Sequence, residues 1–310
     1  MQTSLPHDLL RRMQTLAQQI AATRLEFLTL TSAELAWSWA KDLDAMSPYW
    51  RVQTWEVAGE LRAWAWATLP HRLPRGDGYV RVSDWADLRW QVHPDQPELF
   101  AHILDWYAGV APEVSRTLTL QDGHKAERAL IQQAGYDFDT QAGGPTGNWV
   151  QLNRRALADL APPSLPEGFG FADARNMSAQ QIVDLHRATW HPSSFTTAAL
   201  ARVQATWPYD PALHVFVIST TGLPVASALI WLDADIGLAE FEPVGTAPDH
   251  QRQGLATALL LHGMARARAS GAHHMLVACM GAESKRAARQ LYQNVGFRPI
   301  SRDMPFLRTC

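Results

Sequence analysis

The stretch DHQRQGLATA, residues 249–258, decides how the chain is read. It follows the strand-like run IGLAEFEPVGTA, and the chain then reads at once as a helix rich in alanine and leucine. A helix N-terminus exposes unpaired backbone N–H groups and carries about half a positive charge. The two together favour an anion at that point. Gly254 has no Cβ, so a phosphate can approach the main chain closely, and Ala256 keeps the next turn slim. Arg252 adds charge at the rim. The segment is therefore suited to hold a pyrophosphate on backbone amides. Simple helix capping beside a solvated arginine is the plainer alternative for the bare pattern.

The flanking sequence gives the segment a setting. Upstream, GFGFADAR reads as a strand, residues 178–190 and 197–207 as helices, and LHVFVIST and LPVASALIWLD as strands joined across Thr221 and Gly222. Pro248 ends the strand before the loop. The helix is predicted over residues 251–270, with Arg266 and Arg268 in its last turns and Gly271 just past its end. HMLVACM then reads as a strand and residues 284–295 as a helix closed by Gly296, followed by a strand-like tail.

The first half repeats this order after an extra amphipathic helix over residues 9–22. LEFLTLT reads as a strand, and Thr31 with Glu34 forms a capping box for the next helix. LRAWAWAT and DLRWQV read as strands, residues 98–108 as a helix, RTLTL as a strand, HKAERALIQQAG as a helix and NWVQLN as a strand. Pro94 corresponds to Pro248 and Gly135 to Gly296 at similar offsets, which points to duplication. The proline-rich stretch LAPPSLPEGFG forbids a continuous helix or central strand and separates the copies. The expected organisation is a first domain over residues 1–157, a linker over 158–168 and a second domain over 169–310.

Composition agrees with two packed domains. The chain has 310 residues, 47% apolar and 18% charged, with 27 basic against 30 acidic side chains for a net charge of −3. That balance argues against a nucleic-acid or membrane-surface binder. The two cysteines, Cys279 in an apolar run and Cys310, do not suggest a disulfide framework. With no apolar run long enough to span a bilayer and no signal-peptide core at the start, the cytoplasm is the expected location. Adjacent His273 and His274 face opposite ways on a strand, and no metal-ligand spacing occurs, so no metal is expected.

Two motifs, VGTAPDHQRQGLATALL and AARQLYQNVGF, carry a resemblance to the GNAT superfamily of N-acetyltransferases. It covers residues 168–309 well and the first half only as a degraded copy. The layout is similar to that of tandem GNAT enzymes such as mycothiol synthase. The resemblance implies an α/β (α+β) chain of two tandem GNAT folds, each a mixed, mostly antiparallel central sheet flanked by helices.

It also implies acetyl-CoA as cosubstrate. The pyrophosphate would rest on Gln251, Arg252, Gln253, Gly254, Leu255 and Ala256. The pantetheine would lie along Val244, Gly245 and Thr246, pairing like an added strand. Tyr292 matches the family's tyrosine, which implies the general acid for the departing thiolate. Glu240 and Glu242, two apart in an otherwise apolar strand, share a face unless a bulge intervenes, and burial would raise either toward base function. Glu240 stands at a position used as base in some members, while others use a water relay. Lys285 stands where many relatives carry an asparagine. With Arg286 and Arg289 it would neutralise CoA phosphate, or form an ordinary solvated face.

In the first half the corresponding loop, HPDQPELF, lacks the glycine, Leu99 and Phe100 are expected to crowd a phosphate, and Ile131 replaces the tyrosine. The N-terminal copy is therefore expected to brace the second domain or to wall the acceptor cleft. The expected activity is acetyl transfer from acetyl-CoA to a primary amine of a small molecule, by direct attack in a ternary complex. The alternatives are a non-catalytic acyl-CoA sensor and a protein or peptide N-acetyltransferase. The chain is expected to be a monomer or homodimer.

Overall fold

The structure is a computed structural model that describes residues 5–76 and 78–310. The first half runs α1 (His7–Thr23), α2 (Ser32–Met46), β1 (Trp50–Val57), β2 (Glu60–Thr68), β3 (His71–Gly76), β4 (Tyr79–Ser83), β5 (Ala86–Val92), α3 (Leu99–Val110), β6 (Arg116–Gln121), α4 (Lys125–Gln133), β7 (Asp137–Phe138) and β8 (Val150–Ala156). The second runs β9 (Gly170–Asp173), α5 (Ala179–Thr189), α6 (Thr197–Ala205), β10 (His214–Ile218), β11 (Pro224–Asp233), β12 (Leu238–Thr246), α7 (Leu255–Ala269), β13 (His274–Met280), α8 (Arg286–Asn294) and β14 (Arg298–Arg308).

Local chemistry sets the helix starts. The Thr31 hydroxyl accepts from the Glu34 amide at 3.0 Å while the Glu34 carboxylate accepts from the Thr31 amide at 2.9 Å, the capping box expected for α2. Ser178 and Gln181 build the same device ahead of α5. Three local readings are corrected. Residues 25–31 are no strand: Leu25–Phe27 is a single 3₁₀ turn followed by irregular chain. Strands β1, β3, β4 and the two-residue β7 are additional to those the sequence suggested. Helix α7 begins at Leu255 rather than near 251, because Arg252 and Gly254 take positive φ values of 61° and 79°.

The strands form one twelve-stranded sheet in the order β1-β2-β5-β6-β14-β8-β13-β12-β11-β10-β9, with β7 also on β14; β3 and β4 make a separate hairpin. Its pairs are antiparallel except β5 with β6 and β12 with β13. The mixed, mostly antiparallel sheet flanked by helices is the fold expected. What the local pattern does not carry is that the halves exchange their last strands. β8, from the first half, pairs with β13, with Asn153 opposite Val277. β14, from the second half, pairs with β6, with Asp303 opposite Gln121. β8 and β14 also pair with each other, closing the seam.

One face of the sheet carries a core shared by both halves. Leu10, Met13 and Ile20 of α1 and Leu35 and Trp39 of α2 pack with Leu185 of α5 and Leu200 and Val203 of α6. Polar ties cross the same contact: Gln14 donates to the Trp207 carbonyl at 2.7 Å, and Arg202 reaches the Ala40 carbonyl at 3.0 Å and Asp44 at 2.9 Å. Helix α2 also lies on β12, which brings Glu34 over the strand that carries Glu240 and Glu242. The opposite face holds separate cores, one around α7 and one around α3.

Candidate active site

Strands β12 and β13 pair in parallel only as far as Phe241 and Val277. β12 then continues to Thr246 and β13 to Met280, so the two splay apart. Past the split, Val244, Gly245 and Thr246 pair with Ala228, Ser227 and Ala226 on the β11 side. Their edge toward β13 is open, and an extended ligand can add there as a strand does. Gly245 is required by packing: a Cβ would lie 2.4 Å from Thr189 and 2.7 Å from the Trp190 ring at the end of α5.

The open edge leads into the loop that heads α7. The first helical hydrogen bond is from the Ala258 amide to the Gly254 carbonyl at 3.1 Å. Among the described residues, no main-chain or side-chain acceptor takes the amides of residues 252–257. The left-handed Arg252 and Gly254 curve this run into a nest of N–H groups, a shape that binds anions. A Cβ at Gly254 would meet nothing within 4 Å, so the space beside it is open. Gln251 and Gln253 brace the loop by donating to the Thr246 carbonyl at 3.2 Å and the Asp249 carbonyl at 3.4 Å. Leu255 buries its side chain in the α7 core, and Ala256 follows it on the first turn. The donors fit a diphosphate.

Lys285 and Arg289 are already engaged. Lys285 donates to Asn148, and Arg289 donates to the Gly281 carbonyl at 2.7 Å and pairs with Glu283. Lys285 ties the turn ahead of α8 to the chain before β8, and Arg289 ties α8 to the residue after β13.

At the split, Tyr292 of α8 is 6% exposed and packs edge-on against Phe297 at 5.9 Å. Burial, then the charges of Glu242 and Cys279, hold its phenol well above its usual range. The two glutamates of β12 differ in setting. Glu240 lies in the regular ladder opposite Trp231 and is 4% exposed, with one carboxyl oxygen unpartnered. Burial and the neighbouring Glu34 raise its carboxyl well above the carboxylate range, against a hydrogen bond with Thr31.

Glu242 sits at a bulge. Ala228 pairs with Val244 and Ile230 with Phe241, so β12 carries one extra residue here. The Trp231 indole donates to the Glu242 carbonyl at 2.6 Å and pins it. Burial and Glu34 push the Glu242 carboxyl up to about 7, with Lys41 opposing. A group of that pKa can exchange protons near neutrality.

Glu242 borders a cavity of about 520 Å³. Its floor is made by β6, β14, β8 and β13, its sides by β5 and β12, and its roof by α2 and the chain ahead of it. The exchanged strands are thus the middle of the floor. A second cavity of about 240 Å³ shares Trp37 and Glu242 with the first. His186, Trp190 and Phe195 line it. The His186 ring lies 4.5 Å from Trp190 and 4.3 Å from Phe195, and burial with Lys41 and Arg75 lowers it to about 3, so it is neutral. Trp207 lies elsewhere, under the Arg11 guanidinium at 3.8 Å.

Sequence reading missed Glu34, Gln121 and Asp303 as cavity residues. Glu34 was legible only as a capping residue. Asp303 offered one local signal, an acidic side chain inside a strand-like tail.

The equivalent split in the first half is closed. β5 and β6 pair only from Ala86 to Leu88, and the Trp90 indole bridges the gap beyond, donating to the Thr119 carbonyl at 3.1 Å. The irregular chain after α1 fills the rest: the Thr29 amide donates to Gln91 at 2.8 Å, and Gln91 donates to the Phe27 carbonyl at 2.9 Å. In the loop, Gln96, Leu99 and Phe100 spend their amides on turn hydrogen bonds, and Pro94 and Pro97 have none. Leu99 and Phe100 are buried in the α3 core, so they do not crowd a phosphate; the donors are simply used up. Ile131 is buried as well.

Among the described residues no helix is long and apolar enough to cross a membrane. The sequence model of the acetyltransferase (GNAT) family matches residues 179–297. No curated protein matches the chain. Three solved structures are similar over nearly its whole length. A GCN5-related N-acetyltransferase from Sphaerobacter thermophilus is 15% identical with a TM-score of 0.58, over 97% of this chain and 91% of that one. A tandem GNAT protein from the clavulanic acid biosynthesis pathway gives 15% and 0.58, over 97% and 95%. A GNAT-family acetyltransferase from Colwellia psychrerythraea gives 14% and 0.56, over 95% and 97%. At these identities the likeness is one of fold.

Proposed function

We propose that the chain transfers the acetyl group of acetyl-CoA to a primary amine of a small molecule, by direct attack in a ternary complex, a reading supported by the match of residues 179–297 to the GNAT acetyltransferase model. One observation carries this reading: the open edge of β12 runs from the free amides of residues 252–257 to Glu242, which borders the cavity and is close enough to the Tyr292 phenol to raise it. The diphosphate of the cosubstrate rests on the nest, and its arm lies along Val244, Gly245 and Thr246. Glu242 takes a proton from the acceptor ammonium. The freed nitrogen then attacks the thioester carbon, and a main-chain amide near Val244 holds the oxyanion. As the C–S bond breaks, Tyr292 gives its proton to the thiolate, and the second proton that nitrogen sheds in becoming an amide returns to the phenolate. Of the two glutamates, Glu242 is the base on this reading, because it borders the 520 Å³ cavity and Glu240 does not. Residues 1–157 act as a non-catalytic half that walls the acceptor cavity.

The reading is tested by titrating acetyl-CoA calorimetrically and then following thiol release over a panel of amines. Tight binding with no release for any amine would mark an acyl-CoA sensor instead. The base assignment makes its own prediction. Glu242 must be ionised to accept a proton, so kcat/KM for the amine rises with pH through an inflection near 7. Glu242→Gln should remove that inflection and lower kcat/KM by roughly 10²–10⁴-fold. An inflection that survives the substitution assigns the base elsewhere.

A further inference from the structure

The 520 Å³ cavity is strongly biased in charge. Four carboxylates, Glu34, Asp87, Glu242 and Asp303, line it against one guanidinium, Arg89. Arg89 lies over the Trp66 ring at 5.3 Å and partly offsets Glu34. Asp87 is held by the Thr117 hydroxyl at 3.0 Å, and one Glu34 oxygen by the Thr31 amide. A second observation stands apart from the charges. Gln121, on the floor, is 8% exposed and spends its amide N–H on the Thr29 carbonyl at 3.4 Å and on Asp303 at 3.5 Å. Its carbonyl oxygen is buried with no partner, an acceptor waiting for a donor.

We propose that this cavity takes an acceptor carrying two or more amino groups on a short aliphatic chain, with one nitrogen presented to Glu242 and a distal ammonium held by Asp303, Glu34 and the Gln121 carbonyl oxygen. The inference rests on the acyl-transfer reading for which nitrogen reacts. Its length scale comes from the sheet. Asp303 on β14 and Glu242 on β12 are three strand positions apart, at least roughly 14 Å between backbones, because β12 and β13 no longer pair at Glu242. A single ammonium cannot touch both, whereas a diamine or triamine extended between the two side chains can. Leu88, Trp90 and Leu152 supply apolar wall for the methylenes between. Burial and Glu34 push the Asp303 carboxyl up to about 7, so in the empty cavity a proton neutralises it part of the time, and a bound ammonium would displace that proton.

The test is calorimetric binding of spermidine, putrescine and butylamine to the full chain without acetyl-CoA, slightly above neutral pH. The wild type should bind putrescine or spermidine roughly 10–100-fold more tightly than butylamine, the value of one hydrogen-bonded charge. Asp303→Asn should remove most of that margin. Glu34→Gln, which keeps a capping-box side chain at the start of α2, should reduce it too. Equal affinity for putrescine and butylamine in the wild type overturns the proposal whether or not a variant folds, as does a margin that survives both substitutions. Binding is read without turnover, so diamines that bind but are never acetylated would count against acyl transfer alone. Acetylation of monoamines with no diamine preference would count against this inference alone.

Discussion

Replacing Tyr292 by phenylalanine is expected to lower turnover by about 10²–10⁴-fold while acetyl-CoA binds almost as before. The substitution removes one hydroxyl and keeps the ring that packs on Phe297. Burial beside Glu242 and Cys279 keeps the phenol protonated across the working pH range. It therefore always has a proton to give when the thiolate leaves. Steady-state thiol release gives the turnover, acetyl-CoA titration gives the affinity, and a melting curve checks the fold. Undiminished kcat would mean that the thiolate departs without help from this residue.

Gly254→Val should abolish acetyl-CoA binding and leave the fold in place. At φ 79° a β-branched residue is badly strained, so the loop must rearrange and scatter the amides of residues 252–257. Nothing else occupies the space a side chain would enter, so valine would also stand where the phosphates approach. Losing two hydrogen bonds to a charged ligand weakens binding by roughly 10²–10⁴-fold. The body of α7 is anchored independently by Leu259, Leu260 and Met264. Circular dichroism should therefore show native helix content while calorimetry shows no binding. Retained affinity would move the diphosphate site off this loop.

These two residues were legible in the sequence because each belongs to a contiguous motif whose chemistry is local. The capping boxes at Thr31 and Ser178 were legible in kind, and the Thr31 box was read. Residues 25–31 misled: their alternation is that of a strand, but Thr29 lies against Trp90 and Gln91 in the closed split, a tertiary demand that overrides local preference. The start of α7 was misplaced for the opposite reason, since Arg252 adopts a left-handed conformation that its type rarely takes. The acidic cavity was not legible as a cavity, although Glu242 was read as a site residue and Asp303 stood out locally. Glu34, Gln121, Glu242 and Asp303 come from four distant stretches, and only strand order and the packing of α2 on the sheet bring them together.

The exchange of β8 and β14 also constrains synthesis. β6 leaves the ribosome with an unpaired edge, and Gln121 meets its neighbour Asp303 only 182 residues later. Until then a bare strand edge is available to any other nascent chain. The partner that closes it belongs to the other half, so neither half can finish its sheet before the other exists. Cotranslational folding of this molecule is therefore completed in a single late step, when β14 arrives to pair with β6 and β8 and the cavity floor is laid.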